Sequence, residues 1–140
     1  MTIPAIAVRH AITPPGPSIL IIDDVGATRQ ALAGLLRLRG YDVREAGSGK
    51  EGLAAIQQEP GIRVVVLDLI MAEGDGWWFR DRQLQDPATA QIPVVVFTAA
   101  RQTELINYLL KPAAVLHKPS SVDDLLDMVA DYCGHAVGFC

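Results

Sequence analysis

Three short runs, ILII at 19–22, VVVL at 64–67 and VVVF at 94–97, contain no polar residue at all. A strand with one face in water alternates apolar and polar positions, so runs of this length and composition belong in strands buried on both faces, as in a parallel sheet covered by helices. The segments between them have helical length and pattern. TRQALAGLLRLRG sets Ala31, Leu32, Leu35, Leu36 and Leu38 on one stripe and closes on Gly40, a left-handed stop. SGKEGLAAIQQ opens with the capping box Ser48–Glu51, and SVDDLLDMVADYC opens with a second, Ser121–Asp124. DGWWFRDRQLQ and RQTELINYLLK supply two further helices, and the more polar YDVREA and the short AAVLHK two further strands, YDVREA suited to an edge by Asp42, Arg44 and Glu45. Strictly alternating strands and helices predict an α/β fold: a doubly wound five-stranded parallel sheet with helices on both faces.

A chain of 140 residues, half of them hydrophobic, suffices for one domain with a substantial core and not for two. Pro14, Pro15, Gly16 and Pro17 set residues 1–17 apart as a flexible N-terminal arm, residues 18–132 form the domain, and 133–140 are a C-terminal tail. A net charge of −4 argues against a nucleic-acid surface. No apolar run approaches the roughly 20 residues that span a bilayer, and no signal peptide is evident, so a soluble, cytoplasmic protein is expected. Cys133 and Cys140 lie outside any metal-ligand or disulfide spacing and read as free thiols.

In such sheets ligands bind beyond the carboxyl ends of the strands. Asp23 and Asp24 end the first strand, Asp68 the third, Thr98 the fourth and Lys118 the fifth, so these polar residues share one rim. With the flavodoxin-like order 2-1-3-4-5, strands one and three are neighbours and three carboxylates converge. Such a group repels itself unless a cation joins it, and a hard divalent ion with oxygen ligands, Mg²⁺ above all, is the natural one. Lys118 adds a second positive charge and Thr98 a hydroxyl donor. Together they describe a device for accepting a phosphoryl group on a carboxylate.

The pattern resembles the receiver domain of two-component response regulators, in its single-domain, chemotaxis-regulator-like form. Asp23-Asp24 after an apolar strand, D-x-x-M-x-x-x-D-G from Asp68 to Gly76, Thr98-Ala99 and Lys118-Pro119 fall in register across residues 18–132. The resemblance implies that Asp68 is the phosphoacceptor, Asp24 a direct Mg²⁺ ligand, Asp23 a ligand largely through water, and the backbone carbonyl of Ile70 a further ligand. It implies that Thr98 and Lys118 bind the phosphoryl group, that Ala99 leaves it room to enter, and that the peptide before Pro119 is cis. The implied function is a phosphorylation-controlled switch, not an enzyme acting on other substrates. A histidine kinase or histidine phosphotransfer protein charges it and a separate protein reads it, with no direct contact to nucleic acid or membrane.

The chain departs from the family pattern at two places. Ala72 follows Met71 where proline is usual, which loosens the loop after Asp68. Val115 stands where an aromatic ring usually accompanies the movement of Thr98, which leaves open a docking module of the same fold that works without phosphorylation. Ile70 and Ala100 offer no polar side chain to orient a hydrolytic water, so a long-lived phosphoryl group is expected. Taken singly the residues have plainer readings: Asp23 and Asp24 as helix caps, Thr98 as a strand end, Lys118 as a solvated lysine, His117 as structural. A rival motif also exists, because Gly47 to Gly52 matches G-x-G-x-x-G with Asp68 downstream, a dinucleotide fingerprint. Its strand is polar, though, and the Ser48–Glu51 cap accounts for the segment without a ligand.

Overall fold

The computed structural model describes residues 18–72, 75–119 and 121–134. The expected arm at 1–17 lies outside these residues, as do positions 135–140 of the expected tail. Strands β1 (Ser18–Ile22), β2 (Asp42–Ala46), β3 (Ile62–Leu67), β4 (Val94–Thr98) and β5 (Ala114–His117) alternate with helices α1 (Gly26–Leu38), α2 (Gly49–Gln58), α3 (Asp75–Gln85), α4 (Thr103–Leu110) and α5 (Val122–Cys133). The strands form one five-stranded sheet in the order β2-β1-β3-β4-β5, and every pairing is parallel. This is the predicted doubly wound fold.

The apolar runs behave as their composition requires. Residues 19–22, 64–67 and 94–97 are all buried, and successive side chains serve opposite faces. Ile19, Ile21, Val64, Val66, Val95 and Phe97 pack with Leu32, Leu36, Leu125 and Val129 from α1 and α5. Leu20, Ile22, Val65, Leu67, Val94 and Val96 meet Ile56, Phe79 and Ile106 from α2, α3 and α4. Each such fully buried aliphatic chain contributes about 1.5–3 kcal/mol, so the central strands anchor both cores at once. The edge strand β2 carries its charges in ion pairs: Arg44 meets Asp42 and Glu59 at 2.7 Å each, and Glu45 meets Arg29 and Arg37 at 3.1 and 3.2 Å.

Two local expectations need correction. In α1 the buried residues are Leu32, Ala33 and Leu36, while Ala31 is exposed and Leu35 and Leu38 are 42% and 78% exposed. The helix carries more leucine than its contact face holds, and Ala33, too small to mark a stripe by itself, occupies the centre of that face. At α5, Ser121 makes no side-chain cap bond. Its backbone has φ −102° and ψ 23° rather than the extended conformation of a capping residue, and its N–H turns back to the His117 carbonyl. The other end signals hold. Gly40 has φ 91°, its N–H bonds to the Arg37 carbonyl at 2.9 Å and the Tyr41 N–H to that of Leu36 at 3.2 Å, closing α1. Ser48 Oγ accepts from Glu51 N–H at 3.1 Å and donates to the Glu51 carboxylate at 3.2 Å.

Two of the three glycines of the Gly47–Gly52 segment are explained by packing. A Cβ on Gly49 would lie 2.5 Å from the Asp75 carbonyl oxygen, and one on Gly52 2.3 Å from Ile22 Cδ1. The strand before them is an edge strand, not the central one of a dinucleotide site. Among the described residues, no helix is long and apolar enough to cross a membrane.

Candidate phosphoryl-acceptor site

Backbone hydrogen bonds at the carboxyl ends tie β1 to β2 through Asp23 N–H and the Ala46 carbonyl at 3.1 Å, β3 to β1 through Asp68 N–H and the Ile22 carbonyl at 3.0 Å, and β5 to β4 through Lys118 N–H and the Thr98 carbonyl at 3.0 Å, while the parallel pairing of β3 with β4 joins the two sets. These bonds bring the residues singled out in the sequence to one rim. Asp23, Asp68 and Thr98 are buried there and Asp24 is exposed. Asp23, Asp24 and Asp68 each offer a carboxylate oxygen, and these oxygens lie within 4.8 Å of one another. An all-oxygen donor set with this charge fits a hard divalent cation.

The Lys118 ammonium reaches into the same cluster, donating to Asp23 Oδ2 at 2.5 Å and to Asp68 Oδ2 at 3.4 Å. Each buried aspartate has its other oxygen fixed by a loop amide, Asp23 Oδ1 by Val25 N–H at 2.9 Å and Asp68 Oδ1 by Ile70 N–H at 3.1 Å. Both carboxylates are therefore oriented, with Oδ2 turned toward the ammonium. Thr98 is fully buried and its hydroxyl accepts from Ala100 N–H at 3.2 Å. The loop after Asp68 passes Asp24, whose Oδ2 accepts from Ala72 N–H at 3.4 Å. Gly76 secures that loop: a Cβ there would stand 2.5 Å from the Asp68 carbonyl oxygen. Neither Asp23 nor Asp24 caps α1, whose N-cap is Val25. The peptide between Lys118 and Pro119 is cis.

One contributor escaped the sequence reading, and a second, His117, was read only as structural. Arg29 of α1 donates to the Asp23 carbonyl at 2.8 Å and to Glu45 at 3.1 Å, holding the β1–α1 loop against β2. Its i to i+6 reach back to the loop follows no helical spacing that a pattern search would flag. His117 is joined to Thr103 of α4, Nε2 to Oγ1 at 3.1 Å, a contact across 14 residues that only the fold creates.

A doubly wound sheet with an acidic trio, a buried threonine and a lysine on its carboxyl rim places the chain among the α/β proteins whose ligand sites lie at the strand ends. Residues 19–130 match the family model of the response regulator receiver domain, and the chain belongs to that family. It is 35% identical over 116 residues to the DNA-binding dual master transcriptional regulator RpaA of Synechocystis, an alignment covering 81% of this chain and 47% of that protein. The chain thus spans about half the length of that relative. It is 28% identical over 122 residues to the two-component response regulator ORR5 of Oryza sativa subsp. japonica, covering 81% of this chain and 88% of that one. The receiver domain of the Francisella response regulator 1452 superposes with a TM-score of 0.72 at 28% identity, covering 84% of this chain and 96% of that one.

Proposed function

We infer that the protein is a phosphorylation-controlled switch of a two-component phosphorelay, with Asp68 as phosphoacceptor. The observation that carries this reading is the double engagement of Lys118 with Asp23 and Asp68 inside a trio of carboxylates. Asp68 Oδ2 is the nucleophilic oxygen. Its Oδ1 is held by the Ile70 amide, so the carboxylate is presented in one orientation and little reorganisation is needed for attack on phosphorus. Lys118 moves its charge from the ground-state carboxylates to the incoming phosphoryl oxygens, and the Thr98 hydroxyl donates to another of them. Asp23, Asp24, Asp68 and the main-chain carbonyl of Ile70 would hold Mg²⁺. The ion, when bound, offsets the carboxylate charge and the charge on the transferring group.

The donor is a histidine kinase or histidine phosphotransfer protein in the cytoplasm, and a separate protein reads the change of state. The exposed side chain of Ile70 and the methyl group of Ala100 leave a hydrolytic water without a polar partner from those two residues, consistent with a long-lived acyl phosphate. The test is intact mass after incubation with Mg²⁺ and acetyl phosphate beside an Asp68→Asn control. A gain of one phosphoryl group that needs Mg²⁺ and is absent from the control is expected. No gain under conditions that label another receiver would overturn the assignment, and a half-life of seconds for the isolated phosphoprotein would sink the long-lifetime reading.

A further inference from the structure

Helix α1 leaves two leucines in water, and they lie in line with an apolar groove. Leu38 ends the helix, where the chain turns at Gly40 into Asp42, the register partner of Ser18. Leu35 stands one turn earlier and forms part of a cavity of about 180 Å³ between α1 and α5, walled also by Ala31, Leu32, Phe97, Pro119 and Val122. Leu38, Leu35 and Ala31 recur at helical spacing and all three are exposed, so an apolar track runs from the amino end of the sheet into the groove.

The segment that enters β1 suits this track. Residues 1–13 carry Ile3, Ile6, Val8 and Ile12, with Arg9 as their one charged side chain and no carboxylate side chain. Pro14, Pro15, Gly16 and Pro17 then lead to Ser18, and in extended form such a spacer spans roughly 12 Å at about 3.1 Å per residue. From Leu38 back to Ala31 the helix rises roughly 10 Å. The spacer therefore has the length to bring Ile12 from the amino end of the sheet to the level of the groove. The charges agree as well. Asp123, Asp124, Asp127 and Asp131 of α5 are exposed and take part in no ion pair among the described residues, whereas the segment is cationic.

We propose that residues 3–12 lie back along α1 as an intramolecular cover, with their aliphatic side chains over Leu38 and Leu35 and Ile12 seated in the groove. A cavity of roughly 150 Å³ holds a benzene-sized group, so this one accepts a branched aliphatic side chain. The tether keeps the segment at an effective concentration of about millimolar, so weak contacts suffice to hold it. A second copy of the chain would have to reach that concentration in free solution to compete. Lys118 also lines the groove, so the covered groove and the acidic rim share one side chain.

Hydroxyl-radical footprinting read by peptide mass spectrometry tests the cover on the full chain across a dilution series, beside a variant combining Ile3→Asp, Ile6→Asp and Ile12→Asp. These substitutions precede β1, and Tyr108 and Leu109, exposed on α4, serve as reference positions whose oxidation stays constant while the domain is folded. Oxidation of Leu35 and Leu38 relative to them is expected to rise about threefold in the variant. In the reciprocal variant Leu35→Asp, oxidation of Ile12 is expected to rise. Unchanged oxidation of Leu35 and Leu38 in the triple variant overturns the proposal. Protection in the unaltered chain that is lost on dilution overturns it too, and assigns the track to a second copy.

Discussion

At the scale of single residues, the site is held in tension by like charges. Asp23 and Asp68 are almost wholly withdrawn from water and share one ammonium, with Asp24 close by. Removing one negative charge relieves repulsion as long as no cation is bound. Asp68→Asn is therefore expected to stabilise the metal-free protein by about 1 kcal/mol, which for a domain of this size raises Tm by about 4 °C. Added Mg²⁺ should stabilise the wild-type chain more than the variant and reverse their order; thermal melts with EDTA and with Mg²⁺ would check both. Gly49 gives a prediction of another kind. A Cβ at that position meets a backbone carbonyl that cannot rotate away, so Gly49→Ala should cost about 2 kcal/mol in urea unfolding. A dinucleotide should bring no stabilisation to either form, since the glycine serves packing of α2 on α3. The individual site residues were legible in the sequence because each ends an apolar run. Arg29 was not, and His117 was legible as structural but without its partner Thr103, because these contacts depend on neighbours that only the folded chain supplies.

At the scale of elements, α3 is the helix whose pattern says least about its packing. Arg80 is buried, and its guanidinium donates to the carbonyls of Leu110 and Lys111 at 2.9 Å each and to Gln83 Oε1 at 2.8 Å. Gln83 is fully buried and donates to the carbonyls of Thr89 and Ile92, and the Thr89 hydroxyl donates back to the Gln83 carbonyl. Burial lowers the pKa of Arg80, but the carbonyls at the end of α4 receive its charge. The result fastens the C-terminal end of α4 to α3, while the N-terminal end is linked to β5 through Thr103 and His117. Arg80→Met, similar in length and lacking the fork, should cost about 2–4 kcal/mol by leaving buried carbonyls unpaired. Hydrogen exchange should show the last turn of α4 losing protection ahead of its first. Strand existence was readable because each of the three central strands holds a run of four consecutive apolar residues. Which leucines of α1 face the core was not, since a helix with surplus leucine offers more than one apolar arc. Nor was the cap of α5, because the turn after Lys118 rather than Ser121 itself sets the backbone there.

For the whole molecule, closure of the C-terminal helix onto the sheet carries a pH signature. Cys133 is buried at the end of α5, and burial pushes its thiol up from its ordinary value of 9.0 to about 11. The folded state then binds this proton more tightly than the unfolded chain, so stability is complete below about pH 9 and falls as pH rises toward about 11. In thermal melts between pH 8 and 11, Cys133→Ala should show a shallower decline than the wild-type chain. Tyr41 joins the same closure, its hydroxyl donating to the Gly134 carbonyl at 3.0 Å. The bond from Lys118 to Asp23 spans 95 positions of the sequence and, among the described strands, links the end of the last to the end of the first. A ribosome releases the three acidic residues long before the lysine. Until β5 docks, the cluster lacks its ammonium, and under the role proposed for Asp68 a chain halted short of that point lacks the charge that would meet the incoming group. Under that proposal, competence to carry a message is conditional on completion of the fold, and a partly made copy would stay silent.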